Sequence, residues 1–399
     1  MQGMNKKWIL YAAALGGFAL LLGFEIAKVY YIMPFPGSQQ EAAVELAYWI
    51  HQNIQWIRWV GWALLAYPAY RVVLLGGVGT RMLIGVLAVF YLLVFYQFNF
   101  RLMADKMFEQ PQELIFLSAD SNRVERAKLV IGLERNGQAK AYPIEIIGYH
   151  HQVRDTVGGE LVMVTYCTVC RTGRVFRPLV AGEPQTFRLV GMDQFNAMFE
   201  DTNTQSWWRQ VNGEAVAGPL KGSLLEEVPA QQMSLLAWID RYPHTLIMQP
   251  DRRYDSAYAD LEQYDEGMVE STLEKRDTAS WQEKSWVVGI QSGTVAKAYD
   301  WNDLLRLCVI NDRVGDLPVV IMLEPDSVSF HAWQRDTLAF ELVGDALRDR
   351  NTRSTWNWRG QCLDGLLKGN QLRYVQAYQE FWHSWRVFHS GTETYSKER

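Results

Sequence analysis

Val130-Ile131-Gly132-Leu133 recurs as Val287-Val288-Gly289-Ile290, and Ala139-Lys140-Ala141-Tyr142 recurs as Ala296-Lys297-Ala298-Tyr299 at the same offset. Asp155, Val157 and Gly158 match Asp312, Val314 and Gly315 in that register. With gaps the echo continues: Phe187 to Gly191 matches Phe340 to Gly344, and Gly218-Pro219-Leu220-Lys221-Gly222 matches Gly365-Leu366-Leu367-Lys368-Gly369. A chain written twice in one order is expected to build one supersecondary unit twice. The expected fold class is α+β, with two tandem copies of a β-rich mixed domain at 129–249 and 281–399, joined by a charged connector at 250–280. Short β-branched and aromatic runs predict strands at about Leu129 to Leu133, Ala139 to Tyr142, Leu161 to Tyr166, Arg174 to Arg177 and Thr186 to Val190. Helical spacing of apolar residues predicts a late helix in each copy, Met233 to Arg241 and Val375 to Val387.

The first hundred residues are of another kind. Trp8 to Tyr31 is almost unbroken apolar sequence behind Lys6-Lys7, long enough to cross a hydrocarbon core of about 30 Å. Two further candidates, Trp56 to Gly76 and Met82 to about Phe98, give an expected anchor of three helices in a lipid bilayer over residues 1–100, with 101–128 as a juxtamembrane connector. Lys6, Lys7, Arg71 and Arg81 fall on one side of these spans, and the loop from Pro34 to Gln55 carries Glu41 and Glu45 without a Lys or Arg. By the positive-inside rule the amino terminus is expected in the cytoplasm and the later domains outside it, as in an inner-membrane protein with a periplasmic part. Glu25, Lys28 and Arg58 are ionisable residues within the spans, and pairing near a helix end is the expected use of the first two. A net charge of −5 supplies no global basic field, so nucleic acid is not an expected partner.

The chemistry is concentrated in Val164-Thr165-Tyr166-Cys167-Thr168-Val169-Cys170-Arg171-Thr172-Gly173-Arg174, which holds the one closely spaced pair among four cysteines. The run reads as strand, turn and strand, with Gly173 available for a positive φ. Two thiols on such a knuckle can grip zinc or copper, with His150 or His151 and Met192 or Met198 as further soft donors. The same pair can exchange electrons as a thiol-disulfide oxidoreductase, or staple the turn of a structural module as a disulfide. Whether the chain is an enzyme stays open. His150-His151-Gln152-Val153-Arg154-Asp155 reads as a strand, along which only one of the two histidines can face the knuckle. In the second copy Glu324 and Ser327 stand where the thiols are, by ungapped alignment. Asp201, Thr204, Ser206, Trp208 and Gln210 are echoed by Asp349, Thr352, Ser354, Trp356 and Trp358, which favours architecture: a capped turn under a packed Trp.

At these residues the chain resembles the family known as domain of unknown function 3179, found in membrane or exported proteins. The resemblance is carried by His150, Asp155-Thr156-Val157-Gly158-Gly159, Thr165-Tyr166-Cys167-Thr168-Val169-Cys170, the Asp201 to Gln210 cluster, and Gly213, Gly218 and Gly222. It covers roughly Leu129 to Met248. Thr168 replaces the family's Pro and Arg171 its Gly. The resemblance implies the domain and the choice of His150 to complete a metal site with Cys167 and Cys170; it implies no activity.

Overall fold

Leu129–Arg135 and Gln138–Pro143 pair antiparallel, and the first of them is buried on both faces. Leu129, Ile131 and Leu133 enter a core with Tyr142, Val164 and Tyr166, while Val130 joins Ala139, Ala141, Trp238 and Ile247 on the other side. The period of two in a strand makes this division. The computed structural model describes residues 2–40, 43–344 and 346–396. They divide into two compact units: Met1–Glu109 with Thr186–Arg209 and Glu214–Ser223, and Gln110–Gln185 with Gln210–Gly213 and Leu224–Arg399.

The first unit begins with helices α1 (Gln2–Tyr30), α2 (Ala43–Leu75) and α3 (Val78–Tyr96), the last running on as a π-turn, Gln97–Arg101. Close approach of α1 to α2 depends on glycine: a Cβ on Gly61 would lie 2.6 Å from the Leu21 side chain. Two helical segments, Trp8–Tyr30 and Val78–Arg101, are long and apolar enough to cross a membrane, and 17% and 6% of their most apolar stretches are buried. The expected third span lies within α2, which is continuous but fails that measure. Its apolar run is diluted by Arg58, Pro68 and Arg71 and by Trp and Tyr, whose polar atoms favour an interface. Glu41, and the side chains of Lys6 and Lys7 on which the expected orientation rests, lie outside the described residues. Ile32, Val44 and Ala47 pack with Val190, Met198 and Trp207 of a four-stranded sheet, ordered Ala215–Ala217, Trp207–Arg209, Asn196–Asp201, Phe187–Asp193.

In the second unit, Phe116–Ser118, Leu246–Met248, Gln138–Pro143, Leu129–Arg135 and Gln231–Ser234 form one sheet in that order. Tyr378–Phe381, Trp286–Ser292, Val295–Asp300 and Glu393–Thr394 form another. In each, a hairpin is flanked by an antiparallel strand on one side and a parallel strand on the other. Gln152–Val157, Glu160–Cys167 and Thr172–Phe176 make a three-stranded sheet; Val309–Val314, Leu317–Leu323 and Phe330–Gln334 run in the same order, with Arg373–Tyr374 added. Trp238 lies where a Cβ on Gly132 would be, and Trp385 where one on Gly289 would be.

Three expectations of local structure change. His150 and His151 do not sit on a strand: Ile144–His150 is a helix, His151 closes it at φ 61°, and the strand starts at Gln152. Residues 375–387 are not one helix, because Tyr378–Phe381 pairs with Trp286–Gly289 before the helix Trp382–Phe388 begins. The helix expected from Met233 starts at Leu235, because Gln231–Ser234 pairs as a strand with Leu129–Gly132; in the connector at 250–280, Tyr254, Tyr258, Leu261 and Tyr264 are buried in the core with Tyr166 and Val164.

Candidate functional site

Glu160–Cys167 and Thr172–Phe176 pair antiparallel with Cys167 opposite Thr172, so residues 168–171 turn the chain. Arg171, at φ 56°, takes the left-handed conformation expected of Gly173. Gly173 serves differently, since a Cβ there would lie 2.6 Å from Ile131 Cδ1. Three of the turn's carbonyls are held from outside it. Thr168 O accepts from Tyr264 Oη at 2.8 Å, Val169 O from Lys284 Nζ at 2.7 Å, and Cys170 O from the Phe381 N–H at 3.0 Å. Thr168 Oγ1 also donates to Glu274.

Arg171 is wholly buried over the Trp286 ring, 3.8 Å from its centroid. It donates to Gln379 Oε1 at 3.0 Å and to the carbonyls of Tyr264 and Asp265 at 3.2 and 3.3 Å. Arg174, also buried, pairs with Glu380 and lies 3.4 Å from the centroid of Tyr378. Two guanidinium groups thus join the thiol turn to residues from the far end of the sequence.

All four cysteines are thiols, and Cys167 and Cys170 have no solvent exposure. Their side chains are hydrogen-bonded to each other, and Ser384 hydrogen-bonds Cys170. Burial pushes the Cys170 thiol well above the usual thiol range, and Cys167 adds to this. Lys284 faces both sulfurs electrostatically; burial holds its ammonium below the ordinary lysine range while the thiols act in the opposite sense. His383 is brought down to about 3 by burial, with Lys284 adding to the effect, so it is neutral at pH 7. The groups that act on the pair thus include the Ser384 hydroxyl and the Lys284 ammonium.

His150 ends its helix fully buried, with Nε2 2.7 Å from Tyr258 Oη and the rings of Tyr254 and Tyr258 edge-on at 5.0 and 5.7 Å. His151 Nδ1 lies 3.0 Å from Tyr149 O, and burial, with His150 beside it, lowers its pKa to about 4. Among the described residues, no three His, Cys, Asp or Glu side chains form a group that could hold a metal ion. Met198 packs in the apolar cluster of Ile32 and Trp207. In the second half Glu324 Oε1 meets His331 Nε2 at 2.5 Å.

Lys284, Ser384 and His383 were not singled out from the sequence, because no local spacing links them to the thiols. A signal lay in the helix start at Trp382, whose third residue is the serine. The Asp201 cluster is built as a turn. Its carboxylate accepts from the N–H groups of Thr204 and Ser206, from Thr204 Oγ1 and, at 2.9 Å, from Trp208 Nε1. Asp349 holds Thr352 and, at 3.0 Å, Trp356 in the same way.

These features define an α+β protein with apolar amino-terminal helices and a buried dithiol knuckle. The chain belongs to the family described as Protein of unknown function (DUF3179), which matches residues 112–392. The match runs through both β-rich halves and the stretch between them, beyond the Leu129 to Met248 expected from the motifs. No curated protein and no solved structure matches the chain.

Proposed function

We propose that this is a membrane-anchored protein whose Cys167 and Cys170 hold a soft metal ion, copper(I) in preference to zinc. The observation that carries the reading is the pair of buried, mutually hydrogen-bonded thiols on a turn whose Val169 carbonyl holds the half-buried Lys284 ammonium. Burial opposes two bare thiolates, but a bound monocation replaces their protons and leaves a net charge of −1, which Lys284 balances. Zinc favours four ligands, whereas thiolates suit copper(I). His150 serves as a third ligand through Nε2 by giving up Tyr258.

Anchoring is supported by the two exposed apolar helices, and the β-rich part is assigned to the side opposite Lys6, Lys7, Arg71 and Arg81. The two halves, 129–249 and 281–399, are read as copies of one domain. Their strand orders and the Gly132–Trp238 and Gly289–Trp385 contacts support this.

The test is a copper(I) titration of full-length protein in detergent against a competing chelator, beside Cys167→Ser/Cys170→Ser and His150→Gln. One copper per chain, lost in the double variant and retained in His150→Gln, supports the two-sulfur site. Loss in His150→Gln with the fold intact brings the imidazole back as a ligand. Equal copper in wild type and the double variant defeats the reading. The sulfur contact also favours thiol-disulfide exchange, in which the dithiol gives two electrons and two protons to an acceptor. A potential below roughly −300 mV without exchange activity would make the pair a staple instead.

A further inference from the structure

Where the carboxy-terminal ends of α1 and α3 and the first half of α2 meet the four-stranded sheet, the first unit holds a partly open cavity of about 320 Å³. Lys28, His51, Arg58, Asn99 and Arg188 line it beside Val29, Ile32 and Met33. The cations lining it are backed by carboxylates that do not line it. Behind Arg58 and Lys28 lies Glu25, fully buried, taking Arg58 Nε at 2.5 Å, Arg58 Nη2 at 2.9 Å and Lys28 Nζ at 3.4 Å. Behind Arg188 lies Glu200, at 2.7 Å, and Arg188 Nη2 also donates to His51 Nε2 at 3.0 Å.

Asn99 ties the first group together. Its Oδ1 accepts from Arg58 Nη2 at 2.8 Å and from Lys28, and its Nδ2 donates to Glu25 at 2.9 Å. It stands on the π-turn that ends α3, a distortion often found at functional sites. Among the described residues, the hydrogen bonds of both arginines run from Nε and Nη2. Asp105 approaches Arg188 Nη1 at 3.8 Å, outside hydrogen-bond range. Both guanidinium groups line the cavity while their carboxylate partners are held from Nε and Nη2.

Paired guanidinium groups and an ammonium recognise phosphate through charge-assisted bonds, and the apolar wall accepts an alkyl part. We propose that this cavity binds a phosphate ester through Arg58, Arg188 and Lys28, with its carbon portion against Val29, Ile32 and Met33. The site is separate from the dithiol. Two sources share this chemistry, a lipid headgroup and a soluble ester, and the lipid source rests on the membrane reading above.

The experiment uses full-length protein in nonionic detergent, with retained lipid counted by native mass spectrometry after adding phosphatidylglycerol or diacylglycerol. The expected result is one phosphatidylglycerol per chain and no diacylglycerol. Arg188→Gln, which removes the cation, and Val190→Phe, which fills the cavity without changing charge, should each lower retention at least tenfold in protein that circular dichroism shows to be folded. Displacement by millimolar inorganic phosphate supports the phosphate site and assigns it to a soluble ester; resistance assigns it to lipid. Equal retention of the two lipids overturns the proposal, as does wild-type retention in both variants. If neither variant folds, the comparison of lipids on the wild type decides alone.

Discussion

Asp265 offers a direct measure of how tightly the stretch after Tyr254 is packed. Its Oδ2 accepts the Leu129 N–H at 2.7 Å, and its backbone carbonyl helps to hold Arg171. The residue is partly exposed, but Oδ1 is buried without a hydrogen-bond partner among the described residues. Burial pushes the carboxyl from an ordinary 3.8 to about 6, against the Leu129 bond and the Arg171 and Lys128 charges. A raised folded-state pKa means that the folded chain holds the proton more tightly. The stabilisation is fully present below about pH 4 and is lost as pH rises through about 6. A difference of this size corresponds to about 3 kcal/mol. Asp265→Asn keeps an acceptor for Leu129 and removes the titration. The melting temperature of the wild type should therefore fall relative to that variant by roughly 3–4 °C between pH 4 and pH 7.5, in full-length protein followed by circular dichroism. Parallel pH profiles for the two proteins would refute the argument, because they would mean that the carboxyl titrates alike in folded and unfolded chains.

Gly132→Ala and Gly289→Ala should each destabilise by about 1–3 kcal/mol in urea unfolding, because a Cβ must displace Trp238 or Trp385; full stability in both would show that the rings yield freely. Arg174→Met should cost about 3–5 kcal/mol by stranding buried Glu380, and adding Glu380→Gln should restore part of the loss in the same assay. The Asp201 carboxyl is held below its ordinary pKa, since its bonds from Trp208, Thr204 and Ser206 outweigh burial. Its contribution is present above about pH 4 and lost as pH falls through the lowered folded value. Asp201→Asn should flatten that acid limb in a pH-dependent melting series.

Val130 to Leu133 and Val287 to Ile290 were legible as strands because β-branched runs bounded by turns suit buried strands, and both lie buried in inner strands of their sheets. The helix Ile144–His150 was missed because Ile, Tyr and His favour strands as much as helices. Trp301–Leu307 was not read as a helix either, although Asp300 precedes it and its leucines fall at helical spacing. The dithiol itself was visible as a motif. Its environment was not, since Lys284, Ser384 and Glu380 lie more than a hundred residues away and reach it through tertiary packing. The tyrosines at 254, 258 and 264 were legible as aromatic residues, but their burial against Tyr166 and His150 depends on contacts that no local period encodes.

The strands at 187–217 close the sheet that packs on α1 and α2, yet they are encoded after the knuckle and its two flanking strands. During synthesis the helices must therefore wait, with Ile32, Val44 and Ala47 uncovered, until about half the polypeptide has been made. No single cleavage point divides the gene product into two self-sufficient pieces: removing everything before residue 110 would leave Val190, Met198 and Trp207 facing solvent. Truncations that begin after the helices should be judged by that orphaned apolar surface before any other defect is attributed to the missing residues.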